Sequence, residues 1–210
     1  MVDHEIPLEP IRRPGEQGTL GSLLWRRRSS RSFAGRSLGL DALASIVWAA
    51  QGRTADGHRV CPSAHALYPL TLSVVAGNID NLAAGVYSYD ADHDRLRLIT
   101  VGDHRDVVAG TTLVDYEWLR QAAALLILTG DIDSADRHFA DQPPLGTRGR
   151  RYVWLEAGHA CQNIYLQAAE AGLGAVLVAG FHDDRLSNLG PKIVPAGHHP
   201  LTILGIGHPS

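Results

Sequence analysis

Cysteine occurs twice in these 210 residues, at Cys61 and Cys161, and lysine once, at Lys192. Two cysteines make no disulfide framework. The 11 histidines do not group with cysteine or carboxylate at ligand spacing, and neither C-x-x-C nor H-x-x-x-H occurs, so no metal site is expected. The absence of G-x-S-x-G argues against a serine hydrolase. The absence of a G-x-G-x-x-G turn opening a helix after a strand argues against a dinucleotide-binding fold, and "GLGAVLVAGF" reads as a buried strand instead. No run of about 18 apolar residues is available for a membrane span. The opening "MVDHEIPLEP" has no apolar stretch of the secretory kind. A cytoplasmic protein is therefore expected. The formal net charge of -3 gives no reason to expect a nucleic-acid partner.

With 45% hydrophobic and 20% charged residues, the chain has the makeup of one globular domain. Residues 1–17, with Pro7, Pro10, Pro14 and Gly15, read as an arm, and residues 18–210 as the domain. A short helix is expected around Leu20, Leu23 and Leu24. A clear one follows in "GLDALASIVWAAQG", with Asp41 as N-cap and Gly52 as its stop. Leu70–Ala76 reads as a strand. "GVYSYDADHDRLRLITVG" reads as a hairpin turning at residues 90–94. Asp103 is expected to cap a helix toward Ala109. "AAALLILTG" suits a strand buried on both faces. Residues 131–150 are polar and carry Pro143, Pro144, Gly146 and Gly149, the makeup of a lid or binding loop. "YVWLEAGHACQNIYLQAAEAGLG" is the strongest helix, with a stripe through Leu155, Gly158, Cys161, Ile164, Tyr165 and Ala168, and Gly172 beyond its end. "GAVLVAGF" and "LTILGIG" are strands, with a short helix after Asp183 between them. Hairpin, strands and long helices together indicate an α+β fold.

Against this background the basic residues are unevenly placed. Arginine accounts for 18 of the 19 basic residues, and seven lie before residue 37. "RRRSSRSF", from Arg26 to Phe33, puts Arg27, Ser29 and Arg31 on one side of an extended segment. Guanidinium forks beside a hydroxyl suit a monoester phosphate. Taken alone, the octapeptide reads better as a solvated basic surface. "CPSAHALYPL" is bounded by Pro62 and Pro69 and filled with small residues. It is either a rigid loop that brings backbone against a flat ligand or a plain turn into the next strand.

Three stretches in order, "RRSSRSF" (27–33), "PSAHALYPL" (62–70) and "LEAGHACQNIYLQAAEAGLGAVLVAGF" (155–181), resemble the nitroreductase-like flavoproteins. The branch most resembled contains the thiazoline/oxazoline (azoline) dehydrogenases. "GVYSYD" and the ending "ILGIGHP" fit as well. The resemblance implies a central, mainly antiparallel sheet flanked by helices, an intertwined homodimer, and FMN at the dimer interface. It implies FMN phosphate contacts from Arg27, Ser29 and Arg31, with Arg28 as helper and His208 near the C-terminus. It implies that Pro62, Ser63, Ala64, His65 and Leu67 of the partner subunit cover the flavin. It also implies that Leu177, Val178, Ala179 and Gly180 run along the flavin edge, where a backbone N–H reaches N5.

Two departures stand out. Histidine occupies position 65, where relatives usually carry glycine. The Lys-Tyr pair of azoline dehydrogenases has no counterpart near Pro144-Leu145, and Arg151-Tyr152 is a shifted substitute. The resemblance thus implies an FMN oxidoreductase passing hydride from NAD(P)H to a nitro- or quinone-like small molecule. The alternatives are an oxygen-dependent dehydrogenase of a peptide-derived intermediate and a non-catalytic flavin-binding scaffold. The chemistry belongs mainly to the flavin, so the absence of a recognisable acid–base residue does not exclude activity, and no catalytic residue is assigned.

Overall fold

In the computed structural model, residues 19–190 and 192–210 are described; the expected arm over 1–17 lies outside them. Six strands form one sheet: β1 (Leu70–Ala76), β2 (Gly85–Asp90), β3 (Arg95–Val101), β4 (Ala124–Gly130), β5 (Gly174–Val178) and β6 (His199–Gly207). Their order is β3-β2-β1-β4-β6-β5, and every pairing is antiparallel. Around it lie the helices α1 (Leu20–Arg26), α2 (Leu40–Gln51), α3 (Arg105–Ala109), α4 (Glu117–Gln121), α5 (Ile132–His138), α6 (Arg148–Glu170) and α7 (Asp183–Asn188). This is the helix-flanked antiparallel sheet expected from the sequence. Among the described residues no helix is long and apolar enough to cross a membrane.

The apolar run in β4 is explained by its two covered faces. Leu126 and Leu128 pack with Leu43 and Ile46 of α2 and with Val153, Ala157 and Ile164 of α6. Leu125 and Ile127, one step along the pleat, pack on the other side with Val108, Leu119, Phe181 and Leu186. All seven residues of β4 are buried.

Several sequence-based expectations shift. The N-cap of α2 is Gly39, with Asp41 in the first turn. His104 rather than Asp103 caps α3, and His182 rather than Asp183 caps α7. In each case the acid lies within two residues of the cap, where the helix dipole also favours it. The polar stretch 131–150 is not a long loop. The Asp131 carboxylate accepts from Ser134 N at 2.8 Å and starts α5. The carboxylate of Asp136, on α5, accepts from the Arg150 backbone N at 2.8 Å and from its guanidinium at 2.7 and 2.9 Å. Only residues 139–147 turn between the helices, and α6 begins earlier than its hydrophobic pattern suggested. Its core face also differs. Val153, Glu156, Ala157, Ala160, Cys161, Ile164 and Ala168 are buried, while Leu155 and Gly158 are exposed. The chain leaves α6 through Gly172 at φ +69°, the left-handed conformation that glycine adopts at helix ends.

Candidate functional site

The arginine segment leaves α1 as extended chain and lies along the open edge of β5. Ser29 bridges to Ala175 in parallel, and Ser30 N donates to Ala175 O at 3.0 Å. The side chains then divide as an extended chain requires. Arg27 stacks on the Tyr165 ring, its guanidinium carbon 5.2 Å from the centroid, and Ser29 Oγ is 3.1 Å from the Tyr165 hydroxyl. Arg26, Arg28 and Ser30 line a concavity of about 230 Å³ with Tyr165, Ala169 and Pro209. Arg28 also donates to the carbonyls of Trp25 and Arg27, both at 2.8 Å. Arg31 is exposed and has neither hydrogen bond nor ion pair among the described residues. His208 lies beside the end of the segment: its carbonyl accepts from Ala34 N at 2.9 Å, while its Nε2 is 3.1 Å from Ser37 O.

Tyr165, read from sequence only as part of the α6 stripe, is the joint of this region. Its hydroxyl also accepts from Leu177 N at 2.8 Å. One phenol thereby fixes Ser29, α6 and β5 together. Tyr165→Phe is expected to leave the Leu177 N–H and Ser29 without that partner and to cost about 1–3 kcal/mol, read from urea unfolding. A variant as stable as the parent would show that solvent replaces the phenol.

The Leu177 N–H is therefore spent. It points off the open edge of β5, as does the Ala175 carbonyl. Ala179 follows the end of β5 by one residue. Its N–H has no hydrogen-bond partner among the described residues, whereas the next residue, Gly180, accepts from Leu113 N at 2.9 Å. Val178 is buried and Ala179 exposed.

The Pro62–Leu67 loop lies at the other end of α6. Its short turn, Ala64–Ala66, holds His65 at φ 52° and ψ 23°. This left-handed conformation favours glycine, which is the residue that the resemblance leads one to expect there. His65 is held by its surroundings: Nδ1 is 3.2 Å from His138 Nε2, and the ring lies 4.8 Å from that of Phe139. Tyr68 N donates to Ser63 Oγ at 2.9 Å and closes the loop. Pro62, Ser63 and Ala64 line a second concavity, of about 270 Å³, with Tyr152, Leu155, Glu156 and His159. From Glu156 to Tyr165 is nine residues of helix, roughly 13 Å. The two residue sets are thus carried at separate places on one helix.

Glu156 belongs to none of the site motifs legible in the sequence. It is 3% exposed, and its Oε1 meets no hydrogen-bond donor. Burial pushes its carboxyl up from an ordinary 4.5 to about 7, against smaller opposing effects of the Ser63 hydroxyl and Arg59. The neighbouring Cys61 thiol is pushed up to about 12, mainly by burial, so it stays protonated at neutral pH.

The nitroreductase family model matches residues 24–208. A protein of Methanocaldococcus jannaschii, named provisionally as a nitroreductase, is 32% identical over 207 residues, covering 97% of this chain and 96% of its own length. Among solved structures, a provisionally named nitroreductase from Anabaena variabilis superposes with a TM-score of 0.77 at 26% identity, over 90% of this chain and 38% of that longer one. Another, from Ralstonia eutropha, gives 0.73 at 26% identity over 97% of this chain and 88% of its own.

Proposed function

Because the chain belongs to the nitroreductase family, we propose that it is an FMN-dependent oxidoreductase that carries reducing equivalents from NAD(P)H to a nitro- or quinone-like small molecule. The observation that carries this reading is the unpartnered N–H of the exposed Ala179 near a segment that offers Arg27, Ser29 and the free Arg31. A phosphate needs the guanidinium groups, and a ring nitrogen in its oxidised form needs the N–H. Bound FMN would supply the redox chemistry, which belongs to the cofactor and not to the chain. The chain's own residues bind and orient. Arg31 and Arg27 neutralise the phosphate, Arg28 supports the segment through backbone carbonyls, and Val178 and Gly180 hold Ala179 in place.

A homodimer completes the proposal. In one chain the 27–31 segment and the Pro62–Ala64 loop lie against different turns of α6. A second copy can bring the missing half to each. The exposed apolar residues Trp48, Trp154 and Leu155 on α2 and α6 offer a surface for it. Gly158 is exposed, and a Cβ added there would meet no atom within 4 Å, which leaves room for close approach.

The protein is expected to purify yellow, to release FMN on denaturation, and to run as a dimer in light scattering. Anaerobic NAD(P)H should bleach the absorption. Colourless protein that takes up no added FMN would overturn the reading. Tyr152, which lines the concavity beside Glu156, favours a second reading: oxygen-dependent oxidation of a peptide-derived intermediate. That reading predicts bound FMN that NAD(P)H does not reduce.

A further inference from the structure

The concavity at the N-terminal half of α6 contains a group that the functional reading does not use. Its walls are partly apolar, from Pro62, Ala64 and Leu155, and partly polar, from Ser63, Tyr152 and His159. Glu156 lines it with a side chain that is almost wholly buried and has one carboxyl oxygen unpartnered. A carboxylate left in such a place carries a desolvation cost, whereas a neutral carboxyl does not. Ser63 Oγ accepts from Tyr68 N, which leaves its own hydroxyl hydrogen uncommitted, and Ser63 and Glu156 line the concavity together. A hydroxyl so placed can relay a proton between the carboxyl and a molecule in the concavity.

We propose that Glu156 is the proton source of the acceptor pocket and acts through Ser63 on two-electron acceptors of the quinone class. The inference rests on the flavoprotein reading. In balance, the quinone takes a hydride, with both electrons, from the anionic reduced flavin, which is left as the neutral oxidised flavin. One proton from the Glu156–Ser63 path forms the O–H bond on the quinone oxygen. The Glu156 O–H bond breaks, and the carboxylate regains its proton from solvent. The product is the hydroquinone.

The groups facing Glu156 suit this role. Arg59, whose charge favours the ionised carboxyl of Glu156, pairs with Asp92 at 3.3 Å. Cys61, whose Sγ donates to the Glu156 backbone carbonyl at 3.3 Å, stays a neutral thiol. Tyr152 and His159 line the concavity from the same helix. The carboxyl is raised to about 7, so it carries a proton just below neutrality and loses it just above.

The test compares the flavin-loaded parent with Glu156→Gln and Ser63→Ala. Each is assayed with benzoquinone, which takes up protons, and with ferricyanide, which takes electrons alone. In the parent the ratio of quinone to ferricyanide turnover should fall as pH rises through about 7. In Glu156→Gln that ratio should drop at least roughly tenfold at about pH 6 and lose its pH dependence. Ser63→Ala should lower the ratio in the same direction. A ratio and pH profile unchanged in Glu156→Gln would overturn the proposal and leave the flavin reading intact. A parent without flavin, or with no turnover of ferricyanide, would overturn both.

A second measurement does not depend on turnover or on the variants. Carbon-13 NMR of glutamate-labelled parent should show one carboxyl titrating near 7, and a midpoint near 4.5 for every glutamate would overturn the proposal. The same shift has a thermodynamic consequence with a definite sign. Between pH 4.5 and 7 the folded chain keeps a proton that the unfolded chain releases. This part of the stability is present at low pH and is lost as pH rises through that window. Glu156→Gln should flatten it.

Discussion

Gly149→Ala is expected to destabilise the protein by about 3 kcal/mol, the upper end of what overpacking costs. A Cβ at Gly149 would lie 2.1 Å from the Ala135 carbonyl carbon and 2.3 Å from Asp136 N, so the obstacle is the backbone of α5. No rotamer change can relieve it. Relief requires α5 and α6 to part, which breaks the Asp136–Arg150 contacts at 2.7 to 2.9 Å. The turn that carries His138 and Phe139 would shift with α5, and His65 rests on both. Urea unfolding would measure the loss. A loss below about 0.5 kcal/mol, the range of an ordinary surface substitution, would show that the helix pair has room to give.

Arg31→Ala is expected to weaken FMN binding roughly tenfold to a hundredfold, about 1.5–3 kcal/mol. The structure sharpens the reason for choosing this position. Arg27 is already stacked on Tyr165 and Arg28 is already donating to two carbonyls, so their removal would disturb the scaffold as well as any ligand. Arg31 has no such employment among the described residues, so its deletion reports the proposed phosphate contact alone. Arg31→Lys should restore only part of the affinity, because an ammonium cannot reproduce the planar fork. Riboflavin, which lacks the phosphate, should bind parent and variant equally. Arg36→Ala serves as the control just outside the segment. Equal FMN affinity in parent, Arg31→Ala and Arg36→Ala would return the cluster to a solvated surface.

What could be read from the sequence, and what could not, follows from the range of the forces involved. β4 was legible because a strand covered on both faces must be apolar at every position. Leu70–Ala76 and the hairpin were legible from alternation and turn residues. The sheet order was not, since which strand pairs with which depends on contacts far apart in the chain. The helix over 132–138 was missed because its stability comes from Asp131, from burial of Ile132 and Ala135, and from Asp136 reaching Arg150, in a stretch whose composition is polar. The α6 stripe was read one step off because Leu155 belongs to an exposed apolar face, and periodicity alone does not say which face meets the core. The arginine and Pro62–Leu67 segments were legible as motifs. Tyr165 and Glu156 were not, though one signal was present: Glu156 falls at helical spacing with Val153 and Ala160, and a carboxyl on a core face is unusual enough to question.

An open sheet has two raw edges, and unpaired strand edges invite other chains to add on. At β3 the edge is blunted by charge, with Arg95 and Arg97 both drawn to Asp90 across the hairpin, and by the irregular register between Val86 and Tyr87. At β5 it is blunted by occupation. Ser30 N takes the Ala175 carbonyl and the Tyr165 phenol takes the Leu177 N–H. The arginine segment is thus also a cover strip that keeps β5 from templating aggregation. Among the described residues the Ala179 N–H, one residue past the end of β5, has no partner, so the gap beside the covered edge and the proposed cofactor contact are the same atom, and a bound flavin would close the edge as well as use it.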